Sequence, residues 1–271
     1  MVIAIASGKG GTGKTTVATN LTLSLSNSVY LDCDVEEPNG HLFLNPDIQK
    51  IKPVSRKIPE INFDKCTYCG ICAKTCEFHA IAALPDQILI FDELCHSCDA
   101  CIYFCPEKAM KEGHKIIGTL REGIVLPDSI PFIDGCLNIG EMMATPLIEA
   151  VKEKCFPDRI NILDAPPGTS CSMVETVRDA DYCILVTEPT PFGLYDLELS
   201  AEVLRYLNVP FGIIINKNRG NSAMIEDFAA DEEIPILLKL DDDRRLAETY
   251  SRGEPAVKYF PGLKEQLREV Y

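Results

Sequence analysis

Val2-Ile3-Ala4-Ile5-Ala6-Ser7-Gly8-Lys9-Gly10-Gly11-Thr12-Gly13-Lys14-Thr15-Thr16 opens the chain, and its reading decides the fold. An apolar run long enough for a strand leads into a glycine-rich stretch that matches G-x-x-x-x-G-K-[ST] from Gly8 to Thr15. Thr15–Leu25 then follows with helical periodicity. Strand, loop and helix in that order make a phosphate cradle. The glycines let backbone N–H groups wrap the anion, and the helix N-terminus favours its charge. In such a loop Lys14 contacts the β- and γ-phosphates of a nucleotide, and the Thr15 hydroxyl ligates Mg2+. Gly8, Gly10, Gly11, Thr12, Gly13 and Thr16 complete the candidate binding residues. A chance glycine-rich turn is the alternative, and it has no reason to sit between a strand and a helix.

Further apolar, β-branched runs occur at Val29–Leu31, Ile160–Leu163, Tyr182–Val186, Phe211–Ile215 and Ile234–Leu238. Helix-period segments such as Pro146–Lys154 and Gly193–Leu207 lie among them. Near-continuous apolar strands alternating with helices predict an α/β fold, a doubly wound and mostly parallel sheet with ligands at the carboxyl ends of its strands. The 271 residues suffice for one such core plus a small insert. The insert is expected over 58–113, with Pro53 and Pro59 at its start, so that the P-loop domain comprises 1–57 and 114–271. Lys115–Leu126 is expected to return as a short β-hairpin turning at Glu122-Gly123.

Two cysteine runs mark the insert: Cys66-x2-Cys69-x2-Cys72-x3-Cys76 and Cys95-x2-Cys98-x2-Cys101-x3-Cys105-Pro106. Cys66 maps onto Cys95, Cys76 onto Cys105 and Ala80-Ile81 onto Ala109-Met110, an internal repeat offset by 29 residues. The spacing is that of a two-cluster bacterial ferredoxin, where three cysteines hold one [4Fe–4S] cube and the fourth reaches the other. It assigns Cys66, Cys69, Cys72 and Cys105 to cluster 1, and Cys95, Cys98, Cys101 and Cys76 to cluster 2. Zinc ribbons use cysteines in pairs rather than repeated quartets. Disulfides are disfavoured in a chain with thirteen cysteines and no export signal. One departure is Cys76-Glu77, where such runs continue Cys-Pro. Each half is too small for a core of its own, so the clusters must hold this small α+β insert folded.

Composition excludes other classes. Asp and Glu outnumber Lys and Arg by 41 to 26, a formal net charge of −15. No basic stripe is visible, since Arg244-Arg245 is an isolated pair behind Asp241-Asp242-Asp243. Nucleic acids and anionic membrane surfaces are therefore disfavoured as partners. No apolar run approaches the ~18 residues of a membrane span, and the first residues lack the pattern of a signal peptide. A cytoplasmic location is expected.

Lys9, a second lysine early in the loop, makes the chain resemble the deviant Walker A group of P-loop ATPases: MinD, ParA, the Mrp-type nucleotide-binding proteins and the nitrogenase iron protein. It resembles most the MinD-superfamily members that contain an inserted ferredoxin domain, and the likeness covers essentially the whole chain. The resemblance implies that Lys9 reaches across a homodimer to the partner's nucleotide, neutralising charge on the transferred phosphoryl group. It implies that Asp34, or less readily Asp32, orients or deprotonates the attacking water. Asp164, ending Ile160-Asn161-Ile162-Leu163-Asp164, would hold Mg2+ through water, and the Gly168 N–H would sense the γ-phosphate. Asn216 would read adenine, with Pro189 flanking the base; an Asn at a strand end also serves as a simple helix cap.

Cys33, Cys136, Cys155, Cys171 and Cys183 fall outside the two runs. Cys183 in its strand and Cys155 at a helix end are most simply packing residues. Cys171, just after Asp164-Ala165-Pro166-Pro167-Gly168, and Cys136 upstream stand where the nitrogenase iron protein carries the cysteines of a cluster shared across its dimer. The alternative is a family filler at Cys171 and an accident of a variable loop at Cys136. The leading expectation is an ATP- and Mg2+-binding homodimer, with ADP as product, that gates electron transfer through its clusters to a redox partner. The second is a carrier that delivers iron–sulfur clusters to client proteins. Spatial positioning in the manner of MinD is disfavoured, because the mixed-charge tail Leu263–Tyr271 lacks a basic membrane-seeking face.

Overall fold

The computed structural model describes residues 1–271. The first elements are strand β1 (Val2–Ala6), helix α1 (Lys14–Ser24), β2 (Ser28–Asp32), α2 (Gly40–Leu44) and the long β3 (Asp47–Ile61). The cysteine-rich segment contributes α3 (Ile71–Thr75), β4 (Ile81–Ala83), β5 (Ile88–Ile90) and α4 (Ala100–Tyr103). It leads into β6 (Met110–Val125) and β7 (Ile130–Leu137). Helices and strands then alternate through α5 (Thr145–Lys152), β8 (Ile160–Asp164), α6 (Cys171–Val177), β9 (Tyr182–Thr187) and α7 (Pro191–Tyr206). The last elements are β10 (Phe211–Asn218), α8 (Ala223–Asp231), β11 (Ile236–Asp241), α9 (Arg244–Ser251) and α10 (Pro261–Glu269).

Nine strands form one sheet in the order β11-β10-β9-β1-β8-β2-β7-β6-β3. Neighbours from β11 to β7 run parallel, and β6 and β3 extend the sheet antiparallel. The register sets the carboxyl ends of the central strands side by side, Ile5 against Asp164 and Asp164 against Asp32. Side chains alternate between two buried layers. Ala4 and Ala6 join the larger layer with Leu31, Leu163 and Met173, while Ile3 and Ile5 pack toward Val17 and Leu21 of α1 and Leu267 of α10. Burial on both faces is why these strands are apolar at most positions, with polar residues toward the ends of β2 and β8. No helix is long and apolar enough to cross a membrane.

The structure corrects the outer strands. No hairpin forms within Lys115–Leu126, because Lys115–Val125 continue one strand, β6, and Leu126 starts the turn to β7. Gly123 lies opposite Ile48 on one side and Phe132 on the other. A Cβ there would come within 2.7 Å of the Asp47 carbonyl oxygen, so the glycine serves close strand approach rather than a turn. Strand β3 is the sheet's edge, where Pro53 and Pro59 are tolerated. The expected strand at Ile234–Leu238 starts at Ile236, after the Pro235 carbonyl has accepted the Ile213 N–H.

Pairing of β6 with β7 ends at Gly118–Leu137, whereas β3 and β6 stay paired out to Ile61–Met110. This ribbon carries residues 62–109. They form a separate two-stranded sheet of β4 and β5, with a core of Cys72, Ile81 and Ile88 that packs on Met110 at the start of β6.

Candidate functional site

The loop between β1 and α1 is braced from the end of β10, two strands away in the sheet. Gly13 caps α1 at φ 98°, and a Cβ on it would fall 2.3 Å from Asn216 Nδ2, so only glycine fits. Asn216 uses that nitrogen to donate to the Thr12 carbonyl at 2.7 Å, and Lys217 donates to the Gly11 carbonyl at 2.8 Å. Lys14 is buried, and the buried Thr12 hydroxyl has no partner. An orphaned donor in a glycine cradle is what a phosphate oxygen satisfies.

Asp164 is buried at the end of β8, where its Oδ2 accepts a 2.8 Å hydrogen bond from the Tyr30 hydroxyl. Its Oδ1 is buried without a partner, and Thr15 stands beside it. A free carboxylate oxygen next to a hydroxyl is an oxygen pair suited to Mg2+. Asp32 is occupied differently. Its Oδ1 accepts from the Asp34 N–H at 3.1 Å and its Oδ2 from the Gly40 N–H at 2.9 Å, so it shapes the turn after β2. Burial raises the carboxyls of both Asp164 and Asp32, and the charge of Asp164 adds to the rise at Asp32. Burial, then Asp164, push Asp34 up to about 6, with Lys14 offsetting part of the rise. Acidic groups crowded this way are relieved by a divalent cation.

Lys9 lies at the loop's outer side with its Nζ 3.6 Å from Glu188 Oε2, and Lys217 holds Oε1 of the same carboxylate at 2.5 Å. The Gly168 N–H donates to the Ser7 carbonyl at 3.0 Å, which fastens the Asp164–Gly168 turn to the end of β1. A cleft of about 420 Å3 opens beside Thr15, Thr16 and Asn216. Its far wall is Asp241, Leu246, Tyr250 and Leu263, from the last strand and helices. Pro189 does not line this cleft; its carbonyl accepts from Asn221 at 3.5 Å. Tyr30, Glu188, Lys217 and the cleft's far wall carry no motif. A tyrosine hydroxyl within an apolar strand at Tyr30 and the Asp241–Asp243 run are the sequence signals that could have pointed to them.

The cysteines of residues 62–109 surround two separate hollows. Cys66, Cys69, Cys72 and Cys105 line one. Cys76, Cys95, Cys98 and Cys101 line the other. No three His, Cys, Asp or Glu side chains converge on one point as ligands of a single ion would; a cube instead takes its thiolates at separate corners. Burial and then the neighbouring Cys66 and Cys69 raise the Cys72 thiol. Burial and then Cys95 and Cys98 push Cys101 up to about 11, with Cys76 adding to the rise. The repeat extends to the backbone. Tyr68, Gly70 and His79 are left-handed, as are Ser97, Asp99 and Lys108 one repeat on. The Ala80 N–H meets Cys76 Sγ at 3.3 Å, and the Ala109 N–H meets Cys105 Sγ at 3.3 Å.

Cys136 lies on strand β7 opposite Thr119 rather than in a loop, and it is exposed; Cys171, also exposed, begins α6. Cys33 and Cys183 are buried and Cys155 is half-buried.

Residues 3–256 match the family model of the CobQ/CobB/MinD/ParA nucleotide binding domain. An uncharacterized protein of Methanocaldococcus jannaschii is 36% identical over 280 residues, covering 99% of this chain and 97% of that protein. The iron-sulfur cluster carrier protein of Pyrococcus horikoshii is 24% identical over 95% of this chain and 79% of its own length. Among solved structures, the septum site-determining protein MinD of Pyrococcus horikoshii, complexed with Mg-ADP, superposes with a TM-score of 0.61 at 20% identity. That match covers 99% of this chain and 93% of the other.

Proposed function

The chain belongs to the CobQ/CobB/MinD/ParA nucleotide-binding family, that of the MinD/ParA ATPases, and from that membership we propose that it acts as a homodimer coupling its nucleotide state to electron transfer through two [4Fe–4S] clusters. One observation carries the proposal: two cysteine quartets line two hollows on a ribbon that grows out of the P-loop sheet. On this reading residues 58–113 form the electron-carrying module, with clusters on Cys66, Cys69, Cys72, Cys105 and on Cys95, Cys98, Cys101, Cys76.

The loop Gly8–Thr16 grips the phosphates of ATP, and Lys14 offsets their charge. Thr15 and Asp164 are the residues that would hold Mg2+, which draws charge from the phosphate oxygens when bound. Asp34, whose neighbour Asp32 is committed to backbone amides, orients water and takes its proton as the water oxygen displaces ADP from the γ-phosphorus. Lys9 leaves Glu188 to meet the nucleotide of the partner copy, and Gly168 leaves Ser7 to meet the γ-phosphate. The clusters, when bound, supply one-electron chemistry. Cys136 and Cys171 of both copies are candidates for a third, shared cluster.

A second reading, cluster delivery to client proteins, draws on the relatives named iron-sulfur cluster carrier protein and on the exposure of Cys69 and Cys98. Anaerobic reconstitution decides between them. Iron for two cubes per chain, retained against a chelator, reduced reversibly by dithionite and shifted in potential by an ATP analogue, is the result expected of electron transfer. Rapid loss to the chelator with no nucleotide effect on potential would replace it with delivery. Further iron that is lost in Cys171→Ser is required for the shared cluster.

A further inference from the structure

Arg56 sits on β3 with its side chain only 1% exposed, so its donors are answered inside the protein. They point in two directions. Nη1 donates to the Cys95 carbonyl at 2.9 Å and Nη2 to the Asp92 carbonyl at 2.5 Å. Nε donates to Oε1 of Glu141 at 3.3 Å. The Glu141 side chain is 3% exposed, and Lys115 lies 3.4 Å from its other oxygen. Arg56 thus grips the second cysteine run and leaves the first alone.

Glu141 belongs to the stretch that follows β7, and that stretch is tied to the nucleotide site. Leu137, which ends β7, donates its N–H to the Val35 carbonyl at 2.8 Å, one residue past Asp34. The Glu141 N–H donates to the Asn138 carbonyl at 3.1 Å, and the Asn138 N–H to the Ile117 carbonyl at 2.8 Å. An unbroken path therefore runs from Asp34 through Val35, Leu137, Asn138, Glu141 and Arg56 to the Cys95 backbone. Little slack exists along it. A Cβ on Gly135 would fall 2.7 Å from Val35 Cγ1, so β7 and the turn after β2 pack in direct contact.

We infer that Arg56 and Glu141 are the positioning pair through which a change at Asp34–Val35 reaches the second cysteine quartet and not the first. The inference rests on the reading that both quartets hold clusters. Rearrangement of the 34–37 turn around a phosphate draws on Leu137 and hence on Glu141. As the Arg56–Glu141 pair loosens, the guanidinium charge beside Cys95 is less compensated. A less compensated cation favours the reduced, more negative form of the cluster on Cys95, Cys98, Cys101 and Cys76, and its potential rises.

The test uses full-length holo protein in redox titrations followed by electron paramagnetic resonance, with dithionite as electron source, alone and with a non-hydrolysable ATP analogue. Hydrogen exchange of residues 92–101 is followed in parallel. The analogue is expected to raise one midpoint potential, leave the other in place and alter exchange in 92–101. Arg56→Gln is expected to keep its iron, nucleotide affinity and basal ATPase activity while the shift shrinks about threefold or more. Glu141→Gln is expected to raise the same midpoint without nucleotide. A wild-type shift in an iron-replete Arg56→Gln protein, or both midpoints moving together, would overturn the inference alone. Should Arg56→Gln not fold, unchanged exchange in wild-type 92–101 alongside a shifted midpoint has the same force. Absence of cluster iron, or of any nucleotide response in the wild type, instead removes the underlying reading and this inference with it.

Discussion

The ammonium of Lys9 lies 3.6 Å from the carboxylate of Glu188, which Lys217 holds on its other oxygen at 2.5 Å. Lys217 also donates to the Gly11 carbonyl, so one acidic side chain ties both lysines to the phosphate loop. A Lys9 engaged in its own subunit is not free to serve a partner. The Lys9 contact is partly exposed, and such pairs contribute about 0–1 kcal/mol to folding. Glu188→Gln is therefore expected to melt within a few degrees of the wild type. Dimerisation with a non-hydrolysable ATP analogue should move to lower protein concentration, by no more than about fivefold. Sedimentation velocity checks this; an unchanged or weaker dimer means that Glu188 does not restrain Lys9.

Tyr30 is the hidden partner of Asp164. Its ring is fully buried and stacks on Phe132 at a centroid distance of 5.5 Å, which fixes the hydroxyl on Asp164 Oδ2. Tyr30→Phe leaves that buried oxygen unanswered, at a cost of about 1–3 kcal/mol. Burial already raises the Asp164 carboxyl, and losing the donor raises it further, so the Mg2+ proposed to bind there would meet a less ionised ligand. Calorimetric titration with Mg-ADP should show affinity about tenfold weaker at pH 7, with the deficit narrowing toward pH 8. Wild-type affinity at both pH values would mean that Asp164 does not depend on Tyr30.

Asp34 gives a pH signature. Its folded value of about 6 stands above the ordinary carboxylate value near 4 of an unfolded chain. The associated stability is fully present below about pH 4 and is lost as pH rises through about 6. Asp34→Asn should therefore stabilise the nucleotide-free protein at pH 8 by on the order of 1–3 kcal/mol, a gain that fades toward pH 4. Hydrolysis runs the other way if Asp34 has the proposed water-orienting role, since it must then be ionised: turnover should climb between about pH 5 and 7. The same variant should hydrolyse ATP about a hundredfold more slowly with nucleotide affinity kept. Thermal melts and assays across that range check both limbs; a variant no more stable than wild type at pH 8 contradicts the first.

What was legible in the sequence was local. Gly8–Thr15 and the two cysteine runs declare themselves because their partners are neighbours in the chain, and parallel strands buried on both faces read as apolar runs. The outer strands did not, for reasons specific to their residues. Asp134-Gly135 resembles a turn, yet Asp134 is buried in β7 and paired with Arg121 across the ladder. Lys50, Lys52, Pro53 and Pro59 resemble a linker, yet they form an edge strand where charge and proline are tolerated. The far wall of the cleft comes from β11, α9 and α10, more than 200 residues from the loop it faces. Spacing rules reach across a turn or a helix and do not register such contacts. Glu188 and Arg56 were hidden for the same reason, since their meaning lies in what they touch.

If the two quartets hold clusters as proposed, the ribbon-borne segment should depend on that metal while the sheet that carries it does not. Residues 62–109 pack around a small apolar cluster of Cys72, Ile81 and Ile88 with Met110 of β6, four residues against 29 in the larger layer of the sheet. With so little apolar burial, the proposed clusters would supply much of the order there. Chelation of reconstituted protein should open 62–109 to protease, with cuts between Asn62 and Ala109, and leave the remaining fragments folded and able to bind Mg-ADP. Cys98→Ser should halve the iron content, whereas Cys136→Ser, outside both quartets, should leave those two cubes intact. Arg56 would lose its partners at Cys95 and Asp92 on chelation, so hydrogen exchange should also quicken along β3 near that residue. A chelated protein that resists protease throughout 62–109 would mean that four side chains and the ribbon hold the segment unaided.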